Sequence, residues 1–123
     1  MLLRLNIRNY LMIKALNVEF QPGFTAITGE TGAGKSKIIE AIALALGARM
    51  KPHAQQNPQE QCEISVEFDI NQSPKAKQWL NCNHFNADNC ILVRIFQKNG
   101  RSRSLINGRP CPLQQMLTLG KLL

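Results

Sequence analysis

Eight consecutive residues, Gly29-Glu30-Thr31-Gly32-Ala33-Gly34-Lys35-Ser36, have the types and spacing needed to hold a chain of phosphates. Gly29, Gly32 and Gly34 let the backbone come close to an anion and take up positive φ. The N–H groups of the whole loop, those of Glu30 and Ala33 included, can then point inward. A helix starting near Lys35 adds the positive end of its dipole. Lys35 brings a point charge to the β- and γ-phosphates, and the Ser36 hydroxyl is a ligand for Mg²⁺. Thr31 and Lys37 offer further donors to phosphate oxygens. The ligand this pattern implies is a nucleoside triphosphate, ATP with Mg²⁺. The bland alternative is a chance match in an ordinary loop. The local context argues against it, because the motif needs a strand before it and a helix after it.

That context is legible in the hydrophobic pattern. Leu2 to Ile7 and Ala15 to Phe20 alternate as strands do, with Asn9-Tyr10 as punctuation between them. Pro22-Gly23 marks a turn, and Phe24 to Thr28 reads as a short strand feeding the glycine-rich loop. Lys37 to Leu46 reads as a helix stopped by Gly47. Lys51 to Gln61 is polar and proline-broken, a surface loop. Glu63 to Ile70 alternates again. Ser73-Pro74 has the look of an N-cap and first helical residue for a short helix through Leu80. Ile91 to Gln97 and Ser102 to Ile106 are strands joined at Asn99-Gly100, a two-residue hairpin signal. Asn107-Gly108 is another turn. Pro112 opens a last helix whose Met116, Leu117, Leu119, Leu122 and Leu123 have no evident partner. The expected fold is α/β, a P-loop lobe with a mixed sheet and antiparallel hairpins. An apolar helix at the last residues leads us to expect that residues 1–123 are one lobe of something larger.

Binding a triphosphate is not hydrolysing it, which also needs a carboxylate for the metal's water shell and a group to polarise the attacking water. After Ser36 the acids are Glu40, Glu60, Glu63, Glu67, Asp69 and Asp88, and none follows an apolar strand in the manner of a metal-binding Asp. Glu40 reads as the solvent side of a helix, and Glu63, Glu67 and Asp69 as the polar face of a strand. No complete catalytic set is visible. Cys62, Cys82, Cys90 and Cys111 form no CxxC pair. Cys82, His84 and Cys90 lack paired metal-ligand spacing, so thiols in ordinary packing are the better reading. The formal charge of +7 favours polyanions, nucleotide or nucleic acid. No apolar run approaches the length of a membrane span and no signal peptide opens the chain, so the expected location is the cytoplasm.

The opening Leu-x-x-Leu-x-Ile-x-Asn-Tyr, the phrase Ile27 to Ser36, Leu46-Gly47-Ala48-Arg49, Gly100-Arg101-Ser102-Arg103 and Ile106-Asn107-Gly108 together resemble the bacterial RecN family of DNA-repair proteins. The resemblance runs through nearly the whole chain in order. It implies an ATPase head of the SMC type, split by a coiled coil, with the P-loop in the N-terminal lobe. A signature motif and metal-binding Asp would lie in a C-terminal lobe. It implies two heads closing on two ATPs, and recombinational repair of double-strand breaks beside the nucleoid. Only the first lobe is matched. The coiled coil, the C-terminal lobe and every catalytic residue are expected to lie outside this sequence. Lys37 departs from the family's small or apolar residue, and Pro52 to Gln61 lacks its arginine-containing segment. Arg94 matches a basic position on the strand before the hairpin.

Lys98, Arg101, Arg103 and Arg109 surround the two predicted turns, and a hairpin is expected to gather them at one end of the lobe. They are candidates for contact with DNA phosphates, against the alternative of a solvated hairpin with no partner. Two other readings of the whole chain stand beside the family one. It is the head of another SMC-like ATPase such as a recombination mediator, or a non-catalytic relic of a broken gene.

Overall fold

The structure is a computed structural model. It describes residues 2–10, 13–20, 32–48, 61–97 and 101–123, with the backbone alone at 13 and 32–37. In chain order the elements are β1 (Leu2–Tyr10), β2 (Ile13–Glu19), α1 (Gly32–Ala45), β3 (Cys62–Phe68), α2 (Pro74–Cys82), β4 (Cys90–Phe96), β5 (Ser102–Ile106), β6 (Arg109–Pro110) and α3 (Leu113–Gly120). The strands form one six-stranded sheet in the order β2-β1-β3-β4-β5-β6. Every described pair is antiparallel. The strand expected at 24–28 and the loop expected at 51–60 lie outside the described residues.

Alternation fixes which face is inside. β3 and β4 each read buried, half-buried, buried along their length, as period-2 strands with one covered face must. Leu5, Ile7, Ile64, Val66, Leu92 and Ile106 point to that face and are fully buried. Helices cover it. Ile38, Ala41, Leu44 and Ala45 come from α1, Ala76 and Leu80 from α2, and Met116 and Leu119 from α3. The last helix is therefore not unpartnered. Met116 and Leu119 close the core, Leu122 and Leu123 pack against it, and only Leu113 and Leu117 stay exposed.

Several boundaries differ from the sequence pattern for identifiable reasons. β1 runs on through Asn9, which takes φ 57 without ending the strand, because Tyr10 still pairs with Ile13. Asparagine tolerates this left-handed conformation better than most residues. Ser73 precedes α2 but makes no side-chain cap, so only the proline half of that start signal operates. Beyond β4 and before β5 the Gln97 N–H donates to the Arg101 carbonyl at 2.7 Å, while the Asn99-Gly100 turn expected between them lies outside the described residues. β6, a two-residue strand directly after the Asn107-Gly108 turn, is absent from the sequence pattern, and its Pro110 is tolerated because it lies on the edge of the described sheet.

Candidate functional site

The phosphate motif straddles the edge of the described residues. Gly29, Glu30 and Thr31 lie outside them. Gly32, Ala33, Gly34, Lys35, Ser36 and Lys37 are the first residues of α1, whose backbone is helical from Gly32. The helix thus starts five residues before Lys37, inside the motif. Two glycines there cost helix propensity of about 1 kcal/mol each, so local preference does not explain the early start. It places the unbonded N–H groups of a first helical turn at Gly32 to Lys35. No acidic residue occupies that turn to compete with an anion.

One turn after Ser36, the helix is tied to the sheet. The Tyr10 hydroxyl at the end of β1 donates to Glu40 Oε2 at 3.3 Å. Burial, then the neighbouring Glu40 carboxylate, pushes the Tyr10 phenol up to about 12, so it stays a donor. Glu40 is exposed, as its helical position suggested, yet it has this specific partner. Beside Tyr10, the buried Asn9 donates from Nδ2 to the Gln61 carbonyl at 3.5 Å. A cleft of about 530 Å³ opens there, lined by Arg8, Asn9, Lys14, Ala15, Gln61 and Glu63. Sequence reasoning did not find it, because Arg8 and Lys14 read as ordinary outward positions of alternating strands.

The other end of α1 meets Arg94. This residue occupies a core-facing position of β4 and is 3% exposed. Its Nη1 donates to the Leu44 carbonyl at 2.9 Å and to the Ala48 carbonyl at 3.1 Å. The guanidinium lies 4.6 Å from the Phe96 ring centroid. Desolvation by burial lowers its pKa.

Of the four hairpin cations, the three among the described residues are not gathered at one end. Arg101 follows residues 98–100, and the exposed Arg103 faces away from the core, opposite Ile95. Lys98 lies outside the described residues. Arg109 sits past the opposite end of β5, a five-residue strand and so roughly 15 Å long. It donates from Nη1 to the His84 carbonyl at 2.7 Å, with its guanidinium 5.4 Å from the Phe85 ring centroid. The error was to treat two turns flanking one strand as one end. Cys82, His84 and Cys90 do not converge either. Cys82 is exposed at the end of α2 while Cys90 is fully buried in β4. Among the described residues no cluster of three or more His, Cys, Asp or Glu could hold a metal ion. No described helix is long and apolar enough to cross a membrane.

Comparison with known proteins places this geometry. DNA repair protein RecN of Vibrio cholerae is 44% identical over 124 aligned residues, which take in all of this chain and 22% of that protein. DNA repair protein RecN of Xylella fastidiosa is 40% identical, covering 97% of this chain and again 22% of the relative. The chain thus spans about a fifth of the length of the curated relatives it matches. Among solved structures, the Smc head domain with a coiled coil and joint from Pyrococcus yayanosii superposes with a TM-score of 0.75 at 21% identity, over 98% of this chain and 25% of that one. The recombination mediator RecF in complex with ATPrS superposes with a TM-score of 0.72 at 20% identity, over 95% of this chain and 29% of that one. The fold is that of an SMC-type head. Residues 4–117 match the family model described as AAA domain, and the chain belongs to that family.

Proposed function

We propose that this chain binds MgATP through Gly29 to Lys37 as the first portion of the ATPase head of a RecN-like DNA-repair protein. The observation that carries the reading is the start of α1 inside the motif. Helical N–H groups at Gly32 to Lys35, with no acidic residue in that turn, are what a triphosphate needs at a helix N-terminus. The donor set fits the metal too, with the Ser36 hydroxyl as the Mg²⁺ ligand; bound Mg²⁺ would neutralise charge on the phosphates. Lys35 faces the β- and γ-phosphates in this reading, and Tyr10 with Glu40 keeps α1 seated on β1. Turnover requires a second lobe carrying the signature motif and metal-binding Asp, and a second head.

The test is thermal stabilisation by MgATP. The wild-type chain should gain a ligand-dependent shift that grows with the logarithm of ligand concentration above Kd. Lys35→Ala should lose it, and equal shifts in both proteins would refute the assignment. Without the second lobe, ATP hydrolysis should not exceed that of Lys35→Ala. A Lys35-dependent rate from the chain alone would show that the split-head reading is wrong.

Contact with DNA phosphates is proposed for Arg101 and Arg103, together with Lys98. Arg109 is better explained as an anchor of the α2–β4 loop, since its guanidinium already holds His84 and Phe85. In a protein completed by the C-terminal lobe, Arg101→Ala/Arg103→Ala should weaken duplex binding. It should also reduce the salt slope by about one unit for each lost phosphate contact. Unchanged slope and affinity would leave the hairpin as scaffold.

A further inference from the structure

We infer that Arg94 is a positioning residue for the nucleotide site. It fixes the C-terminal end of α1 on β4 so that the N-terminal turn of the same helix is held where the triphosphate binds. The inference rests on the reading of Gly29 to Lys37 as that site.

A guanidinium is an expensive group to place at this position. Arg94 is 3% exposed, and among the described residues its side chain meets two carbonyls and an aromatic ring, with no carboxylate. Its Nε is buried with no hydrogen-bond partner among the described residues. Taking a cation out of water without a counter-ion carries a large desolvation penalty, and well-packed apolar replacements of buried charges are often neutral or stabilising. The neighbouring core-facing positions of β4, Cys90, Leu92 and Phe96, follow the apolar rule. Stability alone therefore does not account for an arginine here.

Its geometry does. Leu44 and Ala48 contribute carbonyls from the last helical turn and from the residue just beyond the stop at Gly47. The Leu44 oxygen lies at the negative end of the helix dipole, and the Ala48 oxygen belongs to the turn that stops the helix. One nitrogen of a planar, rigid side chain bridges both, which fixes the helix end along and across the strand in a way that apolar contacts cannot. α1 has 14 residues and spans about 21 Å, so a small swing at its end moves the phosphate-facing turn. The Tyr10–Glu40 bond, at 3.3 Å and reaching an exposed carboxylate, is the weaker of the two described polar ties between α1 and the sheet. Arg94 meets the end of α1 opposite the phosphate-facing turn, so it acts through the helix.

The experiment compares MgATP binding by calorimetry in the wild-type 123-residue chain, Arg94→Met, Arg94→Lys and Lys35→Ala, with amide exchange along α1 in each. A residue that merely stabilises the fold would lower the melting temperature and leave the affinity of the folded protein intact. The positioning role predicts roughly tenfold weaker MgATP binding in folded Arg94→Met. It also predicts loss of ligand-induced protection at Gly32 to Lys37. Arg94→Lys, keeping a cation but not the fork, should fall between, at about threefold. Wild-type affinity in folded Arg94→Met overturns the inference. If Arg94→Met does not fold, wild-type affinity in Arg94→Lys overturns it instead. A wild-type chain that binds no MgATP would refute the phosphate-site reading, and the role of Arg94 with it.

Discussion

Asn107 shows how much one residue of the Ile-Asn-Gly motif contributes. It adopts φ 51 ahead of Gly108 at φ 81, the pair of left-handed residues that a tight hairpin turn requires. Its side chain then reaches across to the α2–β4 loop. Oδ1 accepts from the Ile91 N–H at 2.7 Å, and Nδ2 donates to the Asn86 and Asn89 carbonyls at 2.6 and 2.8 Å. Its own N–H donates to the Ile91 carbonyl at 2.8 Å. Arg109, two residues on, holds the same loop at His84 and Phe85. Asn107→Ala combines lost hydrogen bonds with an unfavourable φ and should cost about 2–4 kcal/mol. Asn107→Gly relieves the backbone and should cost less. Urea midpoints at constant m-value measure both, and an alanine variant as stable as wild type would refute this account of the motif.

Among the elements, α1 depends on how it stops. Gly47 has φ 114. The Ala48 N–H donates to the Ala43 carbonyl at 3.0 Å and the Gly47 N–H to Leu44 at 3.1 Å, a left-handed helix ending of the usual glycine type. A Cβ at Gly47 would also lie 2.6 Å from Leu117 Cδ2 on α3. Gly47→Ala should therefore destabilise the fold by more than the 1 kcal/mol or so expected from backbone strain alone. Adding Leu117→Ala should recover the steric share and leave the backbone share. A double-mutant cycle with no coupling between the two sites would contradict the contact. The same close approach keeps α3 against the end of α1, near the carbonyls that Arg94 holds.

For the molecule as a whole, the sheet buries two thiols and a phenol whose protons the fold retains. Burial pushes Cys62 up to about 12 and Cys90 up to about 11, against 9 for a free thiol. Tyr10 is pushed up from 10 to about 12. The unfolded chain releases these protons first, so their contribution is complete below about pH 9. It is lost as pH rises from 9 through 11–12. Each ionising group should steepen the loss by about 1.4 kcal/mol per pH unit within its window. Urea midpoints should fall sharply between pH 8.5 and 10.5 in wild type and less steeply in Cys62→Ala. Parallel profiles would rule out the buried thiol as a cause. Alkylation at pH 8 should label the exposed Cys82 quickly and reach Cys62 and Cys90 only after unfolding.

Most of the elements were readable from alternation, turn chemistry and the glycine-rich motif, because each depends on neighbours in the chain. The core faces of β3 and β4, the stop at Gly47 and the Asn107-Gly108 turn are local patterns of this kind. The proposed ligand class was legible for the same reason, since one contiguous loop would carry it. What only the tertiary structure decided involves residues far apart in sequence. Arg94 meets Leu44 at a separation of 50 positions, and Tyr10 meets Glu40 at 30. No periodicity records such pairings, so a core arginine looked like one more cation and Glu40 like one more solvated acid. The early start of α1 likewise overrides the poor helix propensity of Gly32 and Gly34. The misplacement of Arg109 has the same origin, because adjacency to a turn in sequence does not say at which end of the strand that turn lies.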